Sequence, residues 1–495
     1  MSQVCLLPKS RSFAAAVILS VASAALAAPA TPAKLPVPLD PSLFVGMLKG
    51  YKDCRAKYEE MDARIDAAGV RDGSYYRVPG FPYLRTDRYA ASFKDQVTGL
   101  DEVAGWTRRM REFDQEAREF EYRNLGMSEQ DIGTWRYDLL SCGGGLANLE
   151  LFEDANLAFL RKQVTPGSEY VAKPPKPTDA QRKAIAAHQA EVLKRFSGEL
   201  PAAAAPLKLW AAKPVEDLSL IAKGYGNAIP DELGVPALID SQWRAFAEMH
   251  APALWIETAA ARDQPGMPIT KDGAFTVDPA QPRMHYQITF TRLGGKPLAE
   301  INYFIWFAGR DGNTGALDSL IWRVTLDANA QPLVFEAVNA SGRDHLWFAA
   351  QPLKRRDAGK KDLADAALFP QAEPIAWPVA LRIAAGSHDL LRVVPLATAT
   401  ASGSSTPYEL RRYEEVFTLA TSDGKTRSLY DAGGVIPGVR DDKQAGLFGD
   451  QVATPGALHV LGRVPVAYVG NRHFDDADRL DKQLVLPASK VATAP

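Results

Sequence analysis

The hydrophobic period of this chain changes near residue 283, and that change limits the folds open to it. Upstream, apolar residues recur at steps of three and four, the spacing of one helix face. Leu43, Met47, Tyr51, Cys54, Tyr58, Met61 and Ile65 predict a helix over about 41–68. Leu100, Val103, Trp106, Met110, Phe113, Ala117 and Phe120 predict a second over about 100–124. A third begins at Ser128, with Asp131 in the place of a capping-box acid, and runs toward Leu140. Cys142-Gly143-Gly144-Gly145 is expected to break it before a further helix at about 146–162. Thr178 caps another, to about 197. Between the first two helices, Arg77–Tyr83 holds two prolines and a glycine and reads as an extended aromatic loop.

Downstream the period is two. Met284–Arg292, Ala299–Phe307, Leu317–Leu326 and Leu333–Val338 read as strands rich in aromatic and β-branched residues. Leu293-Gly294-Gly295-Lys296 and Asp327–Gln331 read as the turns of an antiparallel meander. Further strands are expected at about 377–385, 390–396, 409–420 and 465–470, and a short helix at 240–249. The fold class is therefore α+β. A helical domain (41–170) is followed by a linker and helix (171–215), a mixed connecting region (216–282) and an antiparallel β-rich domain (283–490).

The first 27 residues read as a secretory signal peptide. Lys9 and Arg11 precede the apolar run Phe13–Ala27, which closes on Ala25-Leu26-Ala27. The run is too short to cross a bilayer core of roughly 30 Å as a helix. No cysteine sits immediately after the cleavage point, so no lipid anchor is expected. Residues 28–40, rich in Ala and Pro, form an extended lead-in. The expected destination is the periplasm, with no membrane insertion once the leader is removed. Basic and acidic residues number 57 and 59 in the full chain, so nothing electrostatic favours a nucleic-acid or anionic-membrane partner. Loss of Cys5 leaves Cys54 and Cys142 in an oxidising compartment. They either form one disulfide, worth about 4 kcal/mol in the chain-entropy model, or stay as two buried thiols.

Strong catalytic signatures are absent: no Gly-x-Ser-x-Gly, no phosphate-cradling loop, no His-Glu-x-x-His and no Cys-x-x-Cys. Two neighbourhoods carry chemistry of a weaker kind. Asn339–His345 follows a strand end and groups Arg343, Asp344 and His345, a set suited to acid–base work or anion binding. Asn471–Asp476 holds Arg472, His473, Asp475 and Asp476. His473 and Asp475 share a face of an extended segment, and with Asp476 they suit a divalent metal. Each neighbourhood reads more simply as a polar loop closing a β-domain. If they meet in space, His345 and His473 with Asp475 or Asp476 define a site. Trp306, Trp322 and Trp347 suit either a ligand platform or sheet core. Among the other histidines, His188 and His388 are expected at the surface. His250 is expected as a cation at a helix C-terminus, and His285 inside a strand.

From about 240 to 480 the chain resembles a family of uncharacterised exported proteins of Gram-negative bacteria. The residues that carry the likeness are Asn302-Tyr303 with Trp306-Phe307, Leu317–Leu326 and Tyr468–Asp476, with a weaker echo at Arg77–Arg88. The family has no established activity, so the resemblance implies export and no particular reaction or cofactor. Two functions remain open. One is an envelope protein that binds a small molecule or a protein partner, using residues such as Trp306, Trp322 and Arg472. The other is a periplasmic hydrolase or metal-dependent enzyme using His345, His473 and Asp475.

Overall fold

The computed structural model describes residues 41–151, 154–164, 178–213, 218–356, 368–401, 403–448, 454–461 and 474–485. The chain divides into two compact units, residues 1–52 and 53–495. The second holds most of the first helix and every element that follows it. Helices dominate the N-terminal part and mostly antiparallel sheets the C-terminal part, an α+β arrangement.

Helix α1 (Pro41–Ala68) buries Tyr58, Met61 and Ile65 from its apolar stripe. A hairpin of β1 (Tyr76–Val78) and β2 (Phe81–Thr86) follows, where the sequence predicts an extended aromatic loop. Pro79-Gly80 forms its turn, with Gly80 at φ +85°, a region open to glycine. Helix α2 (Leu100–Asn124) carries two buried stripes. One is apolar (Val103, Trp106, Met110, Phe113, Ala117) and the other polar (Thr107, Asp114, Arg118, Glu121). Arg85 on β2 answers the polar stripe, with Nε 3.0 Å from Asp114 and Nη2 2.7 Å from Glu121.

Helix α3 (Glu129–Glu150) corrects a second expectation, because it runs unbroken through Cys142–Gly145. Tertiary packing overrides the helix-breaking tendency of glycine here. A Cβ on Gly143 would lie 2.7 Å from the Tyr58 hydroxyl, so only glycine lets α3 approach α1 this closely. Cys54 and Cys142 form a disulfide at that crossing, with Cα atoms 5.2 Å apart. Helices α4 (Asp154–Gln163) and α5 (Asp179–Phe196) follow, the latter capped by Thr178 as expected.

Two large sheets and, among the described residues, four small ones of two or three strands follow. The smaller of the two large sheets has strand order β11-β10-β4-β3-β12, with β3 (Leu207–Ala211), β4 (Ala253–Glu257), β10 (Val379–Ile383), β11 (Leu390–Pro395) and β12 (Ser405–Pro407). Helix α6 (Asp240–His250) leads into β4. The larger sheet has order β9-β8-β7-β6-β5-β13, built from β5 (Arg283–Leu293), β6 (Lys296–Phe307), β7 (Asp318–Leu326), β8 (Pro332–Asn339), β9 (Leu346–Ala349) and β13 (Glu409–Arg412). The expected meander is β5 to β8. Its first turn is Gly294-Gly295, with Leu293 paired to Lys296. The strand expected over 409–420 stops at Arg412 and gives way to a 3-10 helix, Tyr413–Thr418. The strand expected at 465–470 lies outside the described residues.

Both faces of the larger sheet are covered. Ile301, Tyr303, Ile305, Trp322 and Phe335 pack with Phe196, Phe246, Leu254 and Leu381. On the other face Phe304, Trp306, Ile321 and Val338 pack with Tyr413, Phe417, Ile436 and Phe474. The central strands β6 and β7 therefore have almost no exposed residues. Any polar side chain on them must find a partner inside the protein.

Candidate functional site

The residues selected from sequence lie mostly in such internal partnerships. Arg343 donates from Nε to Asp441 (2.7 Å) and from Nη1 to Asp344 (2.8 Å), and reaches Asp389 at 3.3 Å. Asp344 also meets His188 Nε2 at 2.6 Å and Arg195 at 3.3 Å. Burial pushes the Asp344 carboxyl up, but the Arg343 guanidinium and the His188 hydrogen bond outweigh it and hold it far below the usual range. His345 is 3% exposed, and its Nε2 lies 2.9 Å from Glu336. Burial lowers its pKa more than Glu336 raises it, so the ring is neutral. The cavity beside Arg343, Asp344 and Asp389 measures only about 20 Å³.

The two sequence neighbourhoods do meet: the rings of His345 and Phe474 are 5.2 Å apart. Asp475 accepts from Arg323 at 2.5 Å. Arg323, on β7, also bonds Asn302 and the Phe474 carbonyl. Arg479 joins Glu336, Glu300 and Thr291 to the same network. Asp476 turns away toward Arg88 and Lys482. Arg472 and His473 lie outside the described residues, and among the described residues no group of His, Cys, Asp and Glu suits a metal ion.

Trp306, Trp322 and Trp347 are sheet core rather than a ligand platform, each at most 1% exposed. Trp306 Nε1 faces His285 Nδ1 at 3.2 Å, and Trp322 stacks on Phe335 at 5.3 Å. The surface assignment of His188 and His388 is also corrected. Both are buried, and His388 lies between Asp318 (3.0 Å) and Asp263 (3.4 Å). Burial lowers the His388 pKa, but these two carboxylates more than reverse that and raise it. His250 is not a helix-end cation: burial lowers its pKa to about 4.

An accessible concavity among the described residues lies elsewhere. A cleft of about 490 Å³ opens between α2, the segment before α6, and the edge of β5. Strand β13 covers β5 only from Arg283 to Tyr286. Past that point Gln287, Ile288 and Phe290 line the cleft, and among the described residues no further strand pairs with them on that side. Gly105 lets the opposite wall close in, since a Cβ there would meet Glu232 at 2.6 Å.

Aromatic rings form much of the lining. Tyr75 stacks on Phe113 at 4.6 Å, and Trp243 meets Phe290 edge-on at 5.9 Å. The guanidinium of Arg109 sits 5.2 Å over Phe290. Each cleft arginine has a carboxylate partner: Arg108 with Glu232 (2.6 Å), Arg109 with Asp231 (3.5 Å), and Arg412 with Asp240 (2.7 Å) and Glu414 (3.2 Å). The Tyr75 hydroxyl donates to Glu116 at 2.9 Å. Burial first, and the charge of Glu414 second, raise the Glu116 pKa to about 7.

Beneath the cleft lies a chamber of about 70 Å³, sharing Tyr75, Arg109, Phe113, Gln287 and Phe290 with it. Asp475 lines this chamber, the one residue of the sequence-selected set that does so among the described residues. Sequence reasoning missed the cleft because its walls come from segments scattered between residues 75 and 414. Arg108, Arg109, Glu112 and Glu116 read simply as the wet side of an amphipathic helix. The available signal was the spacing of Glu112 and Glu116, one helical turn apart beside Phe113.

No protein-family model matches the chain, and neither a curated protein nor a solved structure matches it.

Proposed function

We propose that this is an exported, periplasmic protein of the Gram-negative envelope that binds a small molecule in the cleft between α2 and the free edge of β5. The observation that carries the reading is the cleft itself. Its volume falls within the roughly 300–1,000 Å³ of ordinary ligand pockets, with aromatic walls and a few convergent polar groups. Residues 1–27 supply the export signal, and the disulfide suits an oxidising compartment. Among the described residues no helix is long and apolar enough to cross a membrane.

Saturation-transfer NMR of the mature chain against mixed sugars, amino acids, polyamines, nucleosides and organic acids tests the reading. At least one class should bind. Trp243→Ala should weaken it about tenfold or more, and should also lower the unfolding midpoint, because Trp243 packs on Tyr225 and Phe246, while the protein still folds. Binding that ignores Trp243, or no binding by any class, would refute it.

A second reading, hydrolysis in the same cleft, draws on Glu116. A carboxyl with a pKa near neutrality beside the Glu414 carboxylate suits a general acid. Turnover of a bound ligand, abolished by Glu116→Gln with binding retained, would select this reading over simple binding.

A further inference from the structure

We infer that the ligand of the cleft is a neutral saccharide, with a hydroxyl-bearing edge seated in the inner chamber against Tyr89, Gln287 and Arg109. The inference rests on the ligand-binding reading and adds the chemical class.

The chamber contains polar atoms that the fold leaves unmatched. Tyr89 is 4% exposed, and its hydroxyl has no hydrogen-bond partner among the described residues. The buried Oε1 of Gln287 and Nε of Arg109 are in the same condition, and all three residues line the chamber. An unmade buried hydrogen bond costs about 1–3 kcal/mol, so these three atoms, closed off from solvent within the chamber wall, gain partners when a polar guest parts that wall. The donor set then selects the guest. Arg109 Nε–H only donates, Gln287 Oε1 only accepts, and a tyrosine hydroxyl does either. A carboxylate or phosphate would serve Arg109 but set its oxygens against Gln287. An ammonium would serve Gln287 but meet the like charge of Arg109. Neighbouring sugar hydroxyls donate and accept in the same small volume and match all three.

The cleft above agrees. Its three arginines are already paired, and five carboxylates line it with them (Glu112, Glu116, Asp231, Asp240, Glu414), which disfavours an anion. The half-buried ring of Trp243 offers flat apolar surface to the C–H face of a pyranose, while the paired charges at the rim present fixed donors and acceptors to its edge.

Isothermal titration of the mature protein with maltose, cellobiose and chitobiose, and in parallel with inorganic phosphate and putrescine, provides the test. One or more disaccharides should bind at one site per chain. Tyr89→Phe, which removes a single oxygen, should weaken that binding about fivefold or more. The unfolding midpoint of this variant should stay level or rise, because an unmatched hydroxyl has gone. Disaccharide binding that Tyr89→Phe leaves unchanged would overturn the chamber assignment. Binding of phosphate or putrescine alone, lost in Trp243→Ala, would overturn the saccharide inference and leave the ligand-binding reading standing. No heat from any probe would overturn the saccharide inference, and the broader NMR screen then decides the reading beneath it.

Discussion

The network around Arg343, Asp344 and His345 and the cleft around Arg109, Glu116 and Trp243 hold similar inventories of charged and aromatic residues. They differ in whether the paired charges are enclosed by protein or border open space. In the network the charged groups are matched by others inside the protein, Arg343 by Asp344, Asp389 and Asp441, and Glu336 by Arg479, while the neutral His345 ring hydrogen-bonds Glu336. In the cleft the charges border open space, and the chamber below leaves three polar atoms unmatched. Buried charge that is fully matched holds a fold in register; charge beside unmatched polar atoms and free volume is available to a ligand. A cluster of His, Asp and Arg in sequence does not distinguish the two cases.

The sharpest way to break this contrast is to remove a matched charge. Arg479 is 2% exposed and serves Glu300, Glu336 and Thr291. Arg479→Ala strands two buried carboxylates and should cost about 3–5 kcal/mol in urea unfolding. A loss under about 1 kcal/mol would show that the network is not holding the sheet together.

A smaller effect, of opposite sign, is expected in the cleft. The Glu116 pKa is raised from 4.5 to about 7 in the folded protein. The stability tied to its protonated form is fully present below about pH 4.5 and is lost as pH rises through about 7. Glu116→Gln imitates the protonated form at every pH. It should match the wild type at pH 4.5 and exceed it at pH 8 by on the order of 2 kcal/mol. Equal stability at pH 8 would place Glu116 in ordinary solvent and weaken the account of the cleft.

Much of the fold was legible in the sequence, for reasons visible in particular residues. Tyr58, Met61 and Ile65, and Trp106, Met110 and Phe113, bury the stripes their spacing defines. Gly294-Gly295 closes its hairpin, and Cys54 pairs with Cys142. These are local or period-bound signals, apart from the disulfide, which had one possible pairing. The misreadings involve remote partners. Cys142–Gly145 stays helical because Tyr58 packs on Gly143. His188 is buried because Asp344 faces it across 156 positions, and His388 because Asp318 faces it across 70. The cleft was illegible for the same reason. Arg109 and Glu116 become a site only when Tyr75, Trp243, Gln287 and Glu414 are folded against them. The sequence suggests His473 as the partner of Asp475, yet its observed partner is Arg323 and its place is the chamber wall.

Carboxyl footprinting of the native protein, read by mass spectrometry after carbodiimide labelling, tests the central contrast most directly because it samples both regions in one sample. Glu116, Asp231 and Glu414 in the cleft should label under native conditions. Glu336, Asp318 and Asp441, each 0% exposed, should label only after denaturation. Native labelling of Glu336 at the rate of the cleft carboxylates would contradict the account, because it would open the surroundings of His345 to solvent and substrate.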